Sequence, residues 1–128
     1  MRHLSWADFD RAVERIAASC SGHRLCGIHG IPRGGLVLAV ALSHRLELPL
    51  LPTARPGCLV VDDVYETGRT LEPHRQLADA RLVVWVSKRA PQWWEAVEVS
   101  DASDWIVFPW ENAAAAAADE AAYRSSRA

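Results

Sequence analysis

The sequence predicts an α/β protein: a parallel sheet with helices on both faces. Three observations carry that expectation. Short apolar runs at 25–31, 58–61 and 82–86 hold little charge, as strands buried on both faces do. Segments with helical apolar spacing lie between them. Strand and helix signals alternate along the chain, which is the pattern of parallel βαβ units rather than of hairpins.

With 128 residues, half of them hydrophobic, the chain is long enough for one main domain with a single core. A net charge of −2 and a pI of about 6.2 leave no broad basic surface, so nucleic acid is not expected as a partner. Cys20, Cys26 and Cys58 are odd in number and form no C-x-x-C pair. That argues against a disulfide framework or a thiolate zinc site, and the three read as small buried hydrophobes. No stretch approaches the roughly 20 apolar residues of a membrane span, and the first residues lack the apolar core of a signal peptide. No membrane is expected as a partner, and a cytoplasmic location is the default.

In chain order, Ser5 and Asp8 form a capping box that opens a helix running to about Cys20. Trp6, Phe9, Val13, Ile16, Ala17 and Cys20 recur at helical steps and are expected to form one buried stripe. Residues 25–31 read as the first strand. It leads into the tight turn Pro32, Arg33, Gly34, Gly35 and then an apolar helix over 36–46. Residues 48–51 suggest a short second strand, and 52–57 a brief link. The central strand, 58–61, is expected to stop at Asp62 and Asp63, because ionised carboxylates are costly to bury. They then lie at the carboxyl edge of the sheet, where open α/β sheets bind ligands.

A helix is expected to begin within 66–70 and to continue over 71–80, with Pro73 tolerated in its first turn. Residues 82–86 form the next strand and deliver Ser87, Lys88 and Arg89 to the same edge as the acids. Trp93 and Trp94 read as core cover. Val97, Val99 and the segment 104–110 suggest the last strands, with Pro109 at an edge or exit. The domain spans 1–112. The alanine-rich tail, 113–128, reads as helical or partly disordered, with Asn112 as a possible cap.

Two stretches carry chemistry. In VVDDVYETGRT, residues 60–70, an apolar strand ends in two acids and then a turn whose backbone N–H groups, Thr67 and Thr70 hydroxyls and Arg69 make an anion site, with Gly68 permitting close approach. This string resembles the binding motif for phosphoribosyl diphosphate (PRPP) in type I phosphoribosyltransferases. The resemblance implies that family's parallel-sheet fold with a small base-binding hood. It also implies that Asp62 and Asp63 hold the ribose hydroxyls and that Thr67, Gly68, Arg69 and Thr70 cradle the 5′-phosphate. The turn at 31–36 matches neither G-x-G-x-x-G nor a Walker A sequence. It resembles the family's pyrophosphate loop, with Arg33, Gly34 and Gly35 gripping the leaving diphosphate.

Within the family the sequence is similar to the bacterial xanthine-guanine phosphoribosyltransferases over most of residues 4–111. The resemblance implies a base site in which Lys88 donates to a purine 6-oxo group, Trp105 stacks on the base and the Ile106 carbonyl faces its 2-position. Glu66 stands where relatives carry the Asp proposed to handle the proton on purine N7, so Glu66 and Arg33 are the expected catalytic residues. The implied reaction is purine salvage: PRPP and a 6-oxopurine give a purine 5′-monophosphate and pyrophosphate. Mg²⁺ is the implied cofactor, held mainly by PRPP, with Asp62 and Asp63 as protein contacts. A homo-oligomer, dimer or tetramer, is also implied. One departure stands out. Relatives carry a long mobile loop before the central strand, and here only residues 52–57 take its place. Slow turnover is therefore expected, and the alternative is a PRPP- or nucleotide-binding regulator on the same fold.

Overall fold

The computed structural model describes residues 1–127. The last residue of the expected tail, Ala128, lies outside them. The chain divides into two compact units, Met1–Arg11 with Ser103–Ala128, and Ala12–Ala102.

The larger unit holds the sheet. Its four strands, β2 (Ile28–Gly30), β3 (Leu59–Tyr65), β4 (Arg81–Ser87) and β5 (Glu95–Val99), lie in the order β2-β3-β4-β5. All three pairings are parallel, so every connection crosses back over the sheet, although only the one between β2 and β3 carries an α-helix. Leu59, Val60 and Val61 pair with Arg81, Leu82 and Val83, so the central strands are buried on both faces. Helix α2 (Gly34–Leu46) packs on β2 and β3 through buried Leu38, Ala39 and Leu42. It ends where Glu47 turns left-handed and its N–H bonds to the Ser43 carbonyl. A second buried cluster joins Val60, Leu82 and Val84 to Ile31, Leu71, Tyr65 and Trp94, with Leu77 and Trp93 packed against it.

The smaller unit contains β1 (Arg2–His3), β6 (Ile106–Val107), the start of helix α1 (Trp6–Ser19) and helix α3 (Ala113–Arg127). Strands β1 and β6 pair in parallel, Arg2 with Ile106 and His3 with Val107. Ser5 and Asp8 cap α1 reciprocally: Asp8 N–H donates to Ser5 Oγ at 3.0 Å, and Ser5 N–H to Asp8 Oδ2 at 2.8 Å. At the start of α3 the Ala115 N–H donates to Asn112 Oδ1 at 2.9 Å.

The structure departs from the sequence reading at several places. The central strand does not stop at the acids but runs through Asp62 and Asp63 to Tyr65. β4 continues alongside it as far as the Tyr65–Ser87 pair, and the carboxylates find local donors. No helix forms over 71–80; a single 3-10 turn, Glu72–His74, stands there, and Asp79 has a left-handed φ of 57°. The apolar anchors of that segment, Leu71 and Leu77, are six positions apart and cannot share one helical face, while Pro73 removes a donor N–H. Residues 48–51 make one isolated bridge, Leu50 to Ile28, instead of a strand, and the first strand is only three residues long. Strand β1 was not foreseen, because two residues show no periodicity. Trp6 is 54% exposed and not part of the buried stripe, whose remaining members are buried. Cys26 is exposed, unlike Cys20 and Cys58.

Leu71 is almost fully buried and leads directly out of the turn at 66–70. Cutting it to Ala leaves a cavity under that turn and should cost about 2–5 kcal/mol. Urea unfolding of Leu71→Ala should show the loss as a lower midpoint with an unchanged slope.

Candidate active site at the carboxyl edge of the sheet

Asp62 and Asp63 sit side by side near the end of β3. The odd-numbered residues Leu59 and Val61 bond toward β2: Leu59 N–H to the Gly27 carbonyl at 3.0 Å, and the Val61 carbonyl from Ile31 N–H at 2.9 Å. Because β2 ends at Gly30, the next group in that series, Asp63 N–H, has outrun its strand partner. The Asp62 carboxylate accepts it at 2.8 Å, and Asp62 Oδ2 accepts the Thr70 hydroxyl at 3.0 Å. Asp63 Oδ1 in turn accepts Val64 N–H at 2.8 Å. The pair is thus oriented by the premature end of β2 and by the turn that follows β3.

The glycine turn closes on these acids. A methyl group added at Gly34 would lie 1.9 Å from Asp63 Oδ2, and one at Gly35 would lie 2.5 Å from the Val61 carbonyl oxygen. A side chain at Gly35 would displace the backbone of the acid-bearing strand, and one at Gly34 the Asp63 carboxylate. Arg33 stands at the N-cap of α2 with its side chain exposed, and the Pro32–Arg33 peptide is cis.

On the other side, Gly68 has a φ of +83°, and a methyl group there would come within 2.5 Å of the Tyr65 hydroxyl. Tyr65 is stacked on Trp94, with centroids 3.7 Å apart and planes 12° apart, and Trp94 Nε1 donates to Ser87 Oγ at 3.1 Å. The turn at 66–70 therefore rests on an aromatic shelf. Thr67, Arg69 and Thr70 are exposed on it. Sequence reasoning missed Tyr65 and Ser87 as supports. An aromatic three residues before a glycine was the available signal.

Burial raises the carboxyls of both acids above their ordinary range, and Asp62's negative charge pushes Asp63 further, up to about 8. Two close carboxylates that resist joint ionisation form a ready site for hydrogen-bond donors or a hard cation. Among the described residues no three His, Cys, Asp or Glu side chains gather as a metal cage.

Lys88 and Glu66 meet as an ion pair, Nζ to Oε1 at 2.7 Å. Only 5% of the Lys88 side chain is exposed against 35% of Glu66. The Lys88 N–H also donates to the Tyr65 carbonyl at 2.9 Å, which ties β4's exit to β3's. The structure thus brings together Gly34 and Gly35 with Asp62 and Asp63, Thr70 with Asp62, and Glu66 with Lys88. Trp105 and Ile106 belong to the smaller unit. There Ile106 is buried in β6 and the Trp105 ring lies 5.2 Å from Tyr123.

An acid pair at the carboxyl edge of a parallel sheet, flanked by two glycine-dependent turns, is the layout of a phosphoribosyltransferase-type site. No protein-family model matches the chain. It is 28% identical to a xanthine-guanine phosphoribosyltransferase of Idiomarina loihiensis, covering 84% of this chain and 85% of that protein. It is 31% identical to an adenine phosphoribosyltransferase of Roseiflexus castenholzii over 61% of this chain, spanning half of that protein's length. Among solved structures, a purine phosphoribosyltransferase from Pyrococcus horikoshii superposes with a TM-score of 0.72 at 28% identity, covering 87% of this chain and 94% of that one. A Helicobacter pylori xanthine-guanine-hypoxanthine phosphoribosyltransferase shares the fold, with a TM-score of 0.73 at 17% identity over 92% of this chain and 98% of that one. In sequence and fold the chain is thus similar to the phosphoribosyltransferases, a family of enzymes, and among them to xanthine-guanine members.

The acid pair gives a signed expectation for the ligand-free protein. A carboxyl raised in the folded state binds its proton more tightly there than in the unfolded chain, so it costs stability as pH rises from its unfolded value near 4 toward 8. Asp63→Asn removes that cost while keeping an acceptor for Val64 N–H. Its melting temperature should exceed the parent's at pH 8, and the gap should close as pH falls to 5. A gap that stays constant with pH would contradict the raised carboxyl.

Proposed function

We propose that the chain transfers the 5-phosphoribosyl group of PRPP to a 6-oxopurine, releasing pyrophosphate and a purine 5′-monophosphate. The observation that carries this reading is the buried Lys88 ammonium held beside the Glu66 carboxylate. Together they offer a donor and an acceptor a few ångströms apart. That matches a 6-oxo group, which accepts, next to a protonated N7, which donates. Adenine would set its own amino donor against Lys88. The relatives do not choose the base, since they include both xanthine-guanine and adenine enzymes.

In this reading Asp62 and Asp63 accept the ribose hydroxyls, and their shared charge suits both those donors and a Mg²⁺ ion carried in by PRPP. The metal would neutralise charge on the diphosphate. The exposed turn at 67–70 receives the 5′-phosphate through its backbone N–H groups, the Thr67 and Thr70 hydroxyls and the Arg69 charge. Arg33, with the Gly34 and Gly35 N–H groups at the start of α2, receives the leaving diphosphate. As the bond from C1 to the diphosphate oxygen breaks, one forms from C1 to the purine nitrogen, and Glu66 holds the proton at N7. Trp105 and Ile106 keep the base-contacting roles that the sequence resemblance implies. The link 52–57 is too short to fold over the site, so water stays beside PRPP and screens these charges, which makes turnover slow. The enzyme works in purine salvage in the cytoplasm as a homo-oligomer, dimer or tetramer. The 113–128 tail is an appendage to a transferase domain of 1–112. No observation favours the regulatory alternative.

The test is product formation from PRPP, Mg²⁺ and a panel of guanine, xanthine, hypoxanthine and adenine. At least about a hundredfold preference in kcat/KM for one or more 6-oxopurines over adenine is expected, since a site built for one hydrogen-bond pattern rejects the reversed one strongly. Lys88→Met should erase most of that preference while leaving PRPP binding intact. Equal use of adenine by the unmutated protein would refute the base assignment. Loss of Mg²⁺-PRPP binding should follow instead from Asp62→Asn with Asp63→Asn, read as the disappearance of the ligand-induced rise in melting temperature.

A further inference from the structure

A cleft of about 570 Å³ opens at the opposite edge of the sheet from the acids. It takes Cys20 from the exit of α1, the 23–26 segment ahead of β2, Leu46 and Leu48 around the end of α2, and Gly57 ahead of β3. Strands β2 and β3 begin there and run away from it, whereas Asp62 and Asp63 lie near the far end of β3. Five extended residues from Gly57 to Asp62 put roughly 16 Å between the two sites. No residue of the candidate active site lines the cleft.

Its size suits a drug-sized ligand, and its chemistry is specific in sign. Leu25, Leu46 and Leu48 give it an apolar wall. Arg24 and His23 stand at it as the ionisable nitrogen groups, both exposed, and no acid is among the lining residues. Arg81 and Glu95, which act on Cys20 from outside the cleft, pair with each other at 2.5 Å, and the exposed Glu47, between Leu46 and Leu48, is not among the lining residues. The helix ends that face it carry partial negative charge, and several of their carbonyls accept local N–H groups. The Ser43 carbonyl receives the Glu47 and Leu48 N–H groups, and the Cys20 carbonyl receives His23 N–H at 3.0 Å. What lines the cleft is an apolar wall beside the exposed Arg24 charge.

From this we infer that the cleft is a second small-molecule site, selective for a flat apolar body bearing one carboxylate, the chemistry of an aromatic acid. The apolar ring would lie on Leu25, Leu46 and Leu48, and the carboxylate would take the Arg24 guanidinium, with His23 as a second donor.

Naphthoate is a suitable probe, with its neutral alcohol and its amine of the same ring as comparators, titrated into the full chain and followed by amide chemical-shift mapping. Saturable shifts centred on residues 23–26, 46–48 and 57 are expected, strongest for the carboxylate and weakest for the amine. Arg24→Glu should weaken naphthoate at least tenfold and leave the alcohol's affinity unchanged, and a purine 5′-monophosphate should not displace it. Because Arg24 is exposed, this variant should fold, and mapping on the unmutated protein decides the matter in any case. Equal affinity for acid and amine, shifts centred on 62–70, or no saturable shift would each overturn the inference.

Discussion

Everything at the carboxyl edge depends on how closely the turn at Gly34 and Gly35 approaches the strand that carries Asp62 and Asp63. A side-chain carbon at Gly34 would lie 1.9 Å from an Asp63 oxygen, far inside contact distance, so this approach exists only because Gly34 has no side chain. It sets the start of α2 beside the acids, and the helix then buries Leu38, Ala39 and Leu42 in the core. A change that opened this contact would separate the helix N-terminus from the carboxylates, and the site would lose its two opposed electrostatic halves at once.

The charges of the site are held at a cost that the rest of the unit offsets. Two neighbouring carboxylates are kept partly desolvated, and an ammonium is almost wholly buried. Each is tolerable because a partner stands within hydrogen-bond distance: Asp63 N–H and the Thr70 hydroxyl for Asp62, Val64 N–H for Asp63, Glu66 for Lys88. The support beneath is apolar. Tyr65, Trp94, Leu71 and Val84 fix the turn from below, so its polar atoms can stay exposed without the backbone drifting.

The buried strands were legible in the chain, as were the capping box at Ser5 and Asp8 and the span of α2. These rest on local chemistry, where side-chain period or a single hydrogen bond decides. The segment 71–80 was misread because its composition permits a helix, while its two anchors face a sheet at a spacing that a helix cannot satisfy. Trp6 follows the helical period of α1 and is nevertheless exposed, since period identifies a face but not what covers it. Strand β1 was invisible for the opposite reason, being two residues ordered only by pairing with β6.

By itself the sequence determined the parallel α/β class, the acid pair in a buried strand and the two glycine turns. Those follow from periodicity, from the cost of burying charge and from the special freedom of glycine, all of which act within a few residues. Tertiary structure alone decided that Glu66 reaches Lys88, that β3 continues through its acids because β4 runs alongside, and that Cys26 is exposed while Cys20 and Cys58 are buried. Each of those depends on where a second strand ends or a distant turn lands, and the separation between such partners in sequence carries no period from which it could be read.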